Sequence, residues 1–293
     1  MPKITLNKKD TLKLIGKAIS DKQLSGAIPL IGTDLEKITK NEIEVEIFPN
    51  RPDMLSEEGF ARALSSFLGI KTGLKAYKVN KSNYKYKVDS KVKRIRPYCT
   101  AAIVKGLKFD KVSLAAIMNL QDKLHTTHGR NRKKVAMGVH DLSKIKFPLT
   151  YTTKPKSFKF RALEDKQEKT IQKILEEHPK GKDYAHLLNK SEVPIWMDAN
   201  NQVLSMPPII NSEENKVTLN TKEVFLDITG TDPIAMDQAL NILVTALADR
   251  GGKIYTVNKT PNLNPKKIKI NINTVNKLLG LNLTKPQIAK LAS

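Results

Sequence analysis

Several features that define whole classes of proteins are missing from these 293 residues. The single cysteine, Cys99, excludes an internal disulfide and a cysteine zinc site, which fits the reducing cytoplasm. No run of about 18 apolar residues exists, and the opening 'MPKITLNKKD' lacks the apolar centre of a signal peptide, so the sequence predicts neither a membrane span nor secretion. Walker, G-x-G-x-x-G, G-x-S-x-G and H-E-x-x-H motifs are absent too. Nucleotide hydrolysis, dinucleotide binding, serine-esterase and zinc-protease chemistry are therefore without support.

Positive charge is what the chain has in excess. The 51 lysines and arginines outnumber the 29 acidic residues and give a formal net charge of +22. A polyanion such as nucleic acid is the natural partner of such a chain. An AT-rich genome also favours lysine, so part of the charge is equally consistent with ordinary solvated surface. The length favours two domains and part of a third, because single cores stop growing at roughly 250 to 300 residues.

The pattern of the chain predicts an α+β fold. In the first part, apolar residues alternate with glutamates in 'IEVEIF', which indicates a half-buried strand. The prolines of 'PNRPD' end that strand, and we interpret Arg51 and Asp53 as fixing the packing of the first domain against its neighbours. Ser56 is predicted to cap the next helix, on which Phe60 and Phe67 share the core-facing side.

A change of composition over residues 75–96, where lysine and arginine interleave with tyrosine, marks a domain boundary. Beyond it, predicted strands such as 'KVAMGVH', 'KVTLN' and 'EVFLDITG' alternate with helices, the first of which Ser113 is predicted to cap. From Pro265, 'KKIKI' predicts a strand that is followed by a short helix. The small domain begun there breaks off at residue 293, which is typical of a fragment.

Candidate chemistry is concentrated in 'EVFLDITGTD'. Strand alternation places Asp227 and Thr229 on one face, where a carboxylate and a hydroxyl can orient a water or bind a polar group. Loop or helix capping by Asp227 is the structural alternative. Ser205 and Asn211 in 'VLSMPPIIN' suit either a rigid pocket or an ordinary edge strand, and His140 suits either a turn or a substrate contact. His125 and His128 lack a nearby acidic third ligand for a metal.

Five stretches together resemble a known family. They are 'EIEVEIFPNRPDMLSEEGFARAL', 'HTTHGRNRKKVAMGVHDL', 'ILEEHPKGKDYAHLL', 'VLSMPPIINSE' and 'LDITGTD'. In this order they are similar to the N-terminal half of the phenylalanyl-tRNA synthetase β subunit of the archaeal and eukaryotic type. The bacterial form inserts an OB-fold domain, for which there is no room between Leu68 and Tyr98.

The resemblance implies three domains. They are a small N-terminal α+β domain (1–85), a larger mixed-sheet α/β tRNA-editing domain (86–264) and the incomplete start of a winged-helix-like domain (265–293). It also implies a post-transfer editing activity, in which tyrosyl-tRNA mischarged on phenylalanine tRNA is hydrolysed. The alternatives are a non-catalytic RNA-binding or assembly fragment of the synthetase and a free-standing trans-editing deacylase.

The resemblance further implies site residues and partners. Asp227, Thr229 and Ser205 would be the catalytic pocket residues, and no metal would be bound. The expected substrate contacts are Trp196, Leu204, Asn211 and His140, with Trp196 standing where related sequences tend to carry leucine and thus narrowing the pocket. Arg130, Arg132, Lys133 and Lys134 are expected to contact tRNA phosphates. The fragment would need no cofactor, whereas the whole cytoplasmic α2β2 synthetase would use ATP and magnesium at a synthetic site in the α subunit.

Overall fold

The computed structural model describes residues 2–258 and 263–292. The elements of the first part are β1 (Lys3–Asn7), α1 (Lys8–Ile15), α2 (Asp21–Ala27), β2 (Thr33–Ile38), β3 (Glu42–Ile47) and α3 (Glu57–Phe67). The strands form an antiparallel sheet in the order β1-β3-β2. Buried apolar residues of the three helices and of β3 share one core.

The alternation in 'IEVEIF' gives β3 its predicted one-sided burial. Ile43, Val45 and Ile47 are fully buried, whereas the two glutamates between them are partly exposed. Ser56 caps α3 as predicted, because its hydroxyl accepts a hydrogen bond from the backbone N–H of Gly59 at 3.2 Å. The prediction for Phe67 is wrong, since its side chain is 49% exposed. It is the last residue of α3, whereas Phe60 and Leu64 of the same helix are fully buried.

The elements of the second part alternate between strands and helices. They are β4 (Val79–Asn80), β5 (Tyr86–Val88), β6 (Tyr98–Lys105), α4 (Lys111–Thr126), β7 (Val135–Asp141), β8 (Leu149–Pro155), β9 (Lys159–Phe160), β10 (Lys169–Thr170), α5 (Ile171–Glu177), α6 (Pro179–Tyr184), β11 (Glu192–Met197), β12 (Val203–Met206), β13 (Ile210–Asn211), β14 (Glu223–Gly230), α7 (Pro233–Asp249) and β15 (Lys253–Thr256). Within the described residues they form two five-stranded sheets, ordered β4-β15-β6-β14-β7 and β13-β12-β11-β8-β5, and a β9-β10 ribbon. Each large sheet contains one parallel pair, β4 with β15 and β5 with β8.

Strand β14 is buried on both faces, which places its polar residues between the two large sheets. The apolar residues on one face pack with α4 and α7. Phe225 on the other face meets Trp196 of the second sheet with a ring-centroid distance of 6.0 Å. Asp227 and Thr229 share this second face, as the alternation predicts, and both are buried. The predicted α+β fold class is confirmed.

Three local predictions are wrong. Asp110 rather than Ser113 caps α4, because its carboxylate accepts the Ser113 N–H at 2.7 Å. The 'KVTLN' segment forms a turn, since the Thr221 hydroxyl accepts the Thr218 N–H at 3.0 Å in place of a strand neighbour. The 'KKIKI' segment forms no strand, because no segment of the described chain pairs with it. Helices α8 (Ile272–Leu279) and α9 (Lys285–Leu291) follow it.

The two parts are joined by ion pairs at the end of α7. Arg250 contacts Asp10 at 2.7 Å and also pairs with the buried Glu58. Arg51 and Asp53 pair with each other inside the 'PNRPD' turn. Their role in packing the first domain against its neighbours stays a prediction. Among the described helices, none is both long and apolar enough to cross a membrane.

Candidate functional site

A cavity of about 350 Å³ opens beside β7, the last strand of its sheet. Helix α4, strand β7, the segment from β12 to β13 and residues 215–217 form its walls. Three of the predicted pocket residues, Asp227, Ser205 and Asn211, line this cavity. They come from β14 in one sheet and from β12 and β13 in the other. The fold therefore brings distant polar residues together at one wall.

The carboxylate of Asp227 is the centre of the polar cluster. Its side chain is almost fully buried, and Oδ2 accepts hydrogen bonds from two side chains. Ser205 donates from Oγ at 2.9 Å, and Nε2 of His140 lies at 2.8 Å. A buried carboxylate needs such donors, because leaving its charge without them costs several kcal/mol. The Ser205 contact also ties the two sheets to each other.

His140 links this carboxylate to the protein interior. Its ring is fully buried, and Nδ1 lies 2.6 Å from Oδ1 of Asn215. The Asn215 amide donates from Nδ2 to the carbonyl of Val203 at 3.1 Å, which fixes its oxygen toward the ring. Both ring nitrogens therefore face acceptors. The imidazole is thereby held between Asn215 and Asp227.

Gly138 makes room for this pair. It lies opposite Asp227 on the neighbouring strand. A Cβ atom at Gly138 would fall 2.4 Å from Nε2 of His140 and 2.7 Å from Oδ2 of Asp227. Any side chain at this position would displace the contact between the imidazole and the carboxylate.

Thr229 faces a buried arginine rather than the cavity. Its hydroxyl accepts from Nε of Arg96 at 2.8 Å, and its carbonyl accepts from Nη2 of the same guanidinium at 2.8 Å. Arg96 also donates to the carbonyls of Arg132 and Lys133. Burial lowers the pKa of Arg96 to about 10. Thr229 therefore anchors a cation that fixes the loop before β7.

Two of the predicted substrate contacts lie outside the cavity lining. Trp196 and Leu204 are fully buried between the sheets, where the indole stacks on Tyr151 at a centroid distance of 4.9 Å. Trp196 does not line the cavity, so it does not narrow the pocket by direct contact. His140 likewise lies outside the lining and reaches the cavity through its partners Asp227 and Asn215.

The four predicted tRNA contacts have different surroundings. Arg132 is only 8% exposed, and its guanidinium donates to the carbonyl of Ile209 at 2.6 Å and lies over the ring of Tyr184 at 4.5 Å. It supports a wall of the cavity. Lys134 pairs with Asp232 at 2.9 Å. The side chains of Arg130 and Lys133 are exposed.

His125 and His128 serve the fold. Nε2 of His125 accepts the N–H of Met137 at 2.9 Å. Burial, reinforced by the charge of Arg132, holds the pKa of His125 well below its usual range, so its ring is neutral. His128 donates to the carbonyl of Ala235 at 2.8 Å. No group of three histidine, cysteine or acidic side chains within residues 2–258 and 263–292 could hold a metal ion.

Sequence reasoning missed Arg96, Gly138 and Asn215. An isolated glycine inside a strand pattern indicates a close approach, and Gly138 in 'AMGVH' carried that signal. Arg96 lies in a run of basic residues, and Asn215 lies in a polar loop. Neither has a spacing that separates it from its neighbours.

Comparisons with known proteins agree with one another. The B3/4 domain family matches residues 81–262. The chain is 43% identical over 297 residues to a protein described as "Phenylalanine--tRNA ligase beta subunit" from Archaeoglobus fulgidus, covering 98% of this chain and 54% of that protein. Its likeness to the protein of the same description from Pyrococcus horikoshii is 42% over 306 residues, covering 99% and 55%.

A solved structure resembles the whole fold. The N-terminal fragment of the phenylalanyl-tRNA synthetase β subunit from Pyrococcus horikoshii superposes with a TM-score of 0.95 at 41% identity. The match covers 99% of this chain and 88% of that fragment. The chain spans about half the length of the curated relatives that it matches.

Proposed function

Since this chain belongs to the family of phenylalanine–tRNA ligase β subunits of the archaeal and eukaryotic type, we propose that the cavity beside Asp227 hydrolyses tyrosyl-tRNA mischarged on phenylalanine tRNA. The observation that carries this proposal is the buried carboxylate of Asp227, which receives two side-chain donors at a cavity wall. The division into domains 1–85, 86–264 and 265–293 belongs to the same proposal, with the middle one as the editing domain.

Chemical similarity explains why such a reaction is needed. A hydrophobic pocket for phenylalanine rejects an isostere with an added hydroxyl by a factor of only about a hundred. A second site must therefore recognise the error. In this second site, a buried polar group can pair with the phenolic hydroxyl of tyrosine. Phenylalanine would leave that group without a partner, so the second site favours tyrosine.

The residues at the cavity suit ester hydrolysis by an oriented water. In this mechanism the Asp227 carboxylate accepts a hydrogen bond from the attacking water, and the Ser205 hydroxyl holds the carboxylate in place. Asn211 lines the same cavity and is available for a substrate contact. Thr229, Leu204 and Trp196 act from behind the wall by fixing its shape.

The remaining roles follow from the family. We propose that an α subunit provides the synthetic site that uses ATP and magnesium, in an α2β2 assembly in the cytoplasm. The tRNA bearing the misacylated amino acid would reach the cavity by way of the basic surface. On this proposal the editing reaction draws on this chain's own side chains and on no cofactor.

Hydrolysis of tyrosyl-tRNA and phenylalanyl-tRNA, both on phenylalanine tRNA, tests the proposal. Wild-type protein should prefer the tyrosyl substrate, and Asp227→Ala should slow its hydrolysis by about a hundredfold or more. Asp34→Ala, which removes an exposed carboxylate, is the matched control and should have no effect. Equal wild-type rates on both substrates would refute selective editing. An active Asp227→Ala variant with a lowered Tm would instead assign Asp227 a purely structural role.

Two alternatives are separated by the same assay. Activity that appears only after the α subunit is added would identify this chain as a dependent part of the ligase. Binding of tRNA without hydrolysis under either condition would favour an RNA-binding or assembly role. Full activity of the chain alone that the α subunit neither changes nor binds would favour a trans-editing deacylase.

A further inference from the structure

In the part of the chain that the structure describes, strand β7 has one edge that no other strand covers. It is the terminal strand of its sheet, and β14 pairs with only one side of it. In an antiparallel pair, alternate residues direct their N–H and C=O groups toward the partner strand, and the residues between them direct theirs away from it. The identity of the outward-facing residues of β7 therefore decides which backbone groups meet the cavity.

Hydrogen bonds at both ends of β7 settle this alternation. The N–H of Thr231 donates to the carbonyl of Lys134 at 3.0 Å, so even-numbered residues face β14. Met137 faces the other way, because its N–H donates to His125 and its carbonyl accepts from Gln121 at 2.8 Å. The N–H of Asp141 likewise leaves the sheet and donates to the carbonyl of Asn215 at 2.9 Å.

Val139 is the outward-facing residue between these two. Its N–H and C=O must point away from β14, as those of Met137 and Asp141 do. Val139 and its neighbour Gly138 line the cavity together with Asp227. The two flanking outward positions are satisfied by the protein itself, so Val139 offers the cavity a backbone donor and a backbone acceptor at a strand edge.

An aminoacyl ester has matching groups. Its α-ammonium is a donor and its ester carbonyl is an acceptor, separated by one Cα atom as in a strand residue. We propose that Val139 binds the aminoacyl group as an added strand residue does, with its C=O accepting from the ammonium and its N–H donating to the ester carbonyl. This assignment rests on the proposed function of the cavity, and it makes Val139 a catalytic residue through its backbone.

The N–H of Val139 acts on the charge that develops during hydrolysis. When a water oxygen bonds to the ester carbon, a proton of that water passes to the Asp227 carboxylate and the carbonyl electron pair moves onto the carbonyl oxygen. The Val139 N–H stabilises this oxyanion. The electron pair on that oxygen then restores the carbonyl double bond while the bond between the carbon and the ribose oxygen breaks. The ribose oxygen takes the proton from Asp227. Amino acid and tRNA with a free hydroxyl are the products.

Val139→Pro removes the N–H and keeps the outward carbonyl. Proline is tolerated in an edge strand where its N–H would face outward, and the ladder to β14 is retained because it uses the even-numbered residues. Val88→Pro is the matched control, because it places a proline at an exposed, outward-facing position of β5, the edge strand of the other sheet, outside the cavity lining. Replacement of the Val139 amide by an ester, with an otherwise identical side chain, is a second way to remove the donor if the proline variant fails to fold.

Two measurements on the full chain decide the question. One is the binding of a non-hydrolysable 3′-amide analogue of tyrosyl-adenosine, and the other is the rate of tyrosyl-tRNA hydrolysis. Loss of the N–H should weaken analogue binding by up to about tenfold and should slow hydrolysis by about 10²- to 10³-fold. Val88→Pro should stay within about threefold of wild type, because it leaves the Val139 donor in place.

The outcomes separate this inference from the function on which it rests. Proline and ester variants at Val139 that match Val88→Pro in both measurements would overturn the assignment to Val139. Wild-type protein that binds the analogue and hydrolyses no tyrosyl-tRNA would refute the editing function. In that case a weaker affinity of the N–H-deleted variants for the analogue would still support Val139 as the binding residue, and an unchanged affinity would refute it.

Discussion

Gly138→Ala should inactivate the site by adding one methyl group to the backbone of β7, and it removes no polar group. The added Cβ would lie 2.4 Å from Nε2 of His140 and 2.7 Å from Oδ2 of Asp227, where ordinary contacts begin at 3.4 Å. The imidazole and the carboxylate must therefore move by up to roughly an ångström. Both are enclosed by their other partners, Asn215 and Ser205, so neither can move without weakening another hydrogen bond.

The expected magnitudes differ for stability and for activity. Overpacking of a filled interior typically costs about 1–3 kcal/mol, which most folded chains survive. Displacement of a catalytic group by about 1 Å can cost about 10²-fold in rate. Gly138→Ala should therefore remain folded while it hydrolyses tyrosyl-tRNA about a hundredfold more slowly. The larger effect is on the reaction because the methyl group enters the cluster itself.

Single-turnover hydrolysis and urea unfolding should be measured on the same preparation. Gly26→Ala is the matched control, since its Cβ would meet no atom within 4 Å and its position in α2 should make alanine slightly stabilising. A Gly138→Ala variant that keeps the wild-type rate would refute the claim that the contact between His140 and Asp227 needs this glycine. A variant that is inactive only because it is unfolded would be recognised by its unfolding curve.

Two further predictions concern the interface and the surface. Arg250→Ala should lower the free energy of unfolding by about 3–5 kcal/mol in urea, because it leaves the buried Glu58 without its cation; a change below about 1 kcal/mol would contradict this. Removing Arg130 or Lys133 should reduce the salt dependence of tRNA affinity by about one unit each, and an unchanged slope would exclude phosphate contact.

Periodicity predicted the part of the site that lies within one strand. The alternation in 'EVFLDITG' was enough to place Asp227 and Thr229 on the same face, because side chains on a strand have a period of two residues. The alternation could not predict that Asp227 and Thr229 contact different partners. Ser205 approaches Asp227 from another sheet and Arg96 approaches Thr229 from a loop, so these contacts depend on how the two sheets pack.

Charge in the sequence did not predict exposure. The stretch 'GRNRKK' reads as a uniform basic surface, yet Arg132 turns inward to the carbonyl of Ile209 while Arg130 and Lys133 stay outside. A guanidinium is buried when backbone carbonyls are available to accept its protons, and those carbonyls come from a segment more than seventy residues away. Trp196 illustrates the same limit, since its place between the sheets is set by Tyr151.

The absence of a familiar catalytic motif is consistent with the kind of site that the fold provides. A motif is recognisable when several reactive side chains have a fixed spacing along the chain. At this cavity one carboxylate is held by residues from distant segments, and the proposed carbonyl donor is the backbone of Val139. A backbone N–H is present at every residue except proline, so its function depends on strand alternation and on an uncovered edge. A site of this kind depends on how the strands are arranged in the fold. Only Gly138, which leaves room for the polar cluster, and Asp227 at its centre can be recognised from the local sequence.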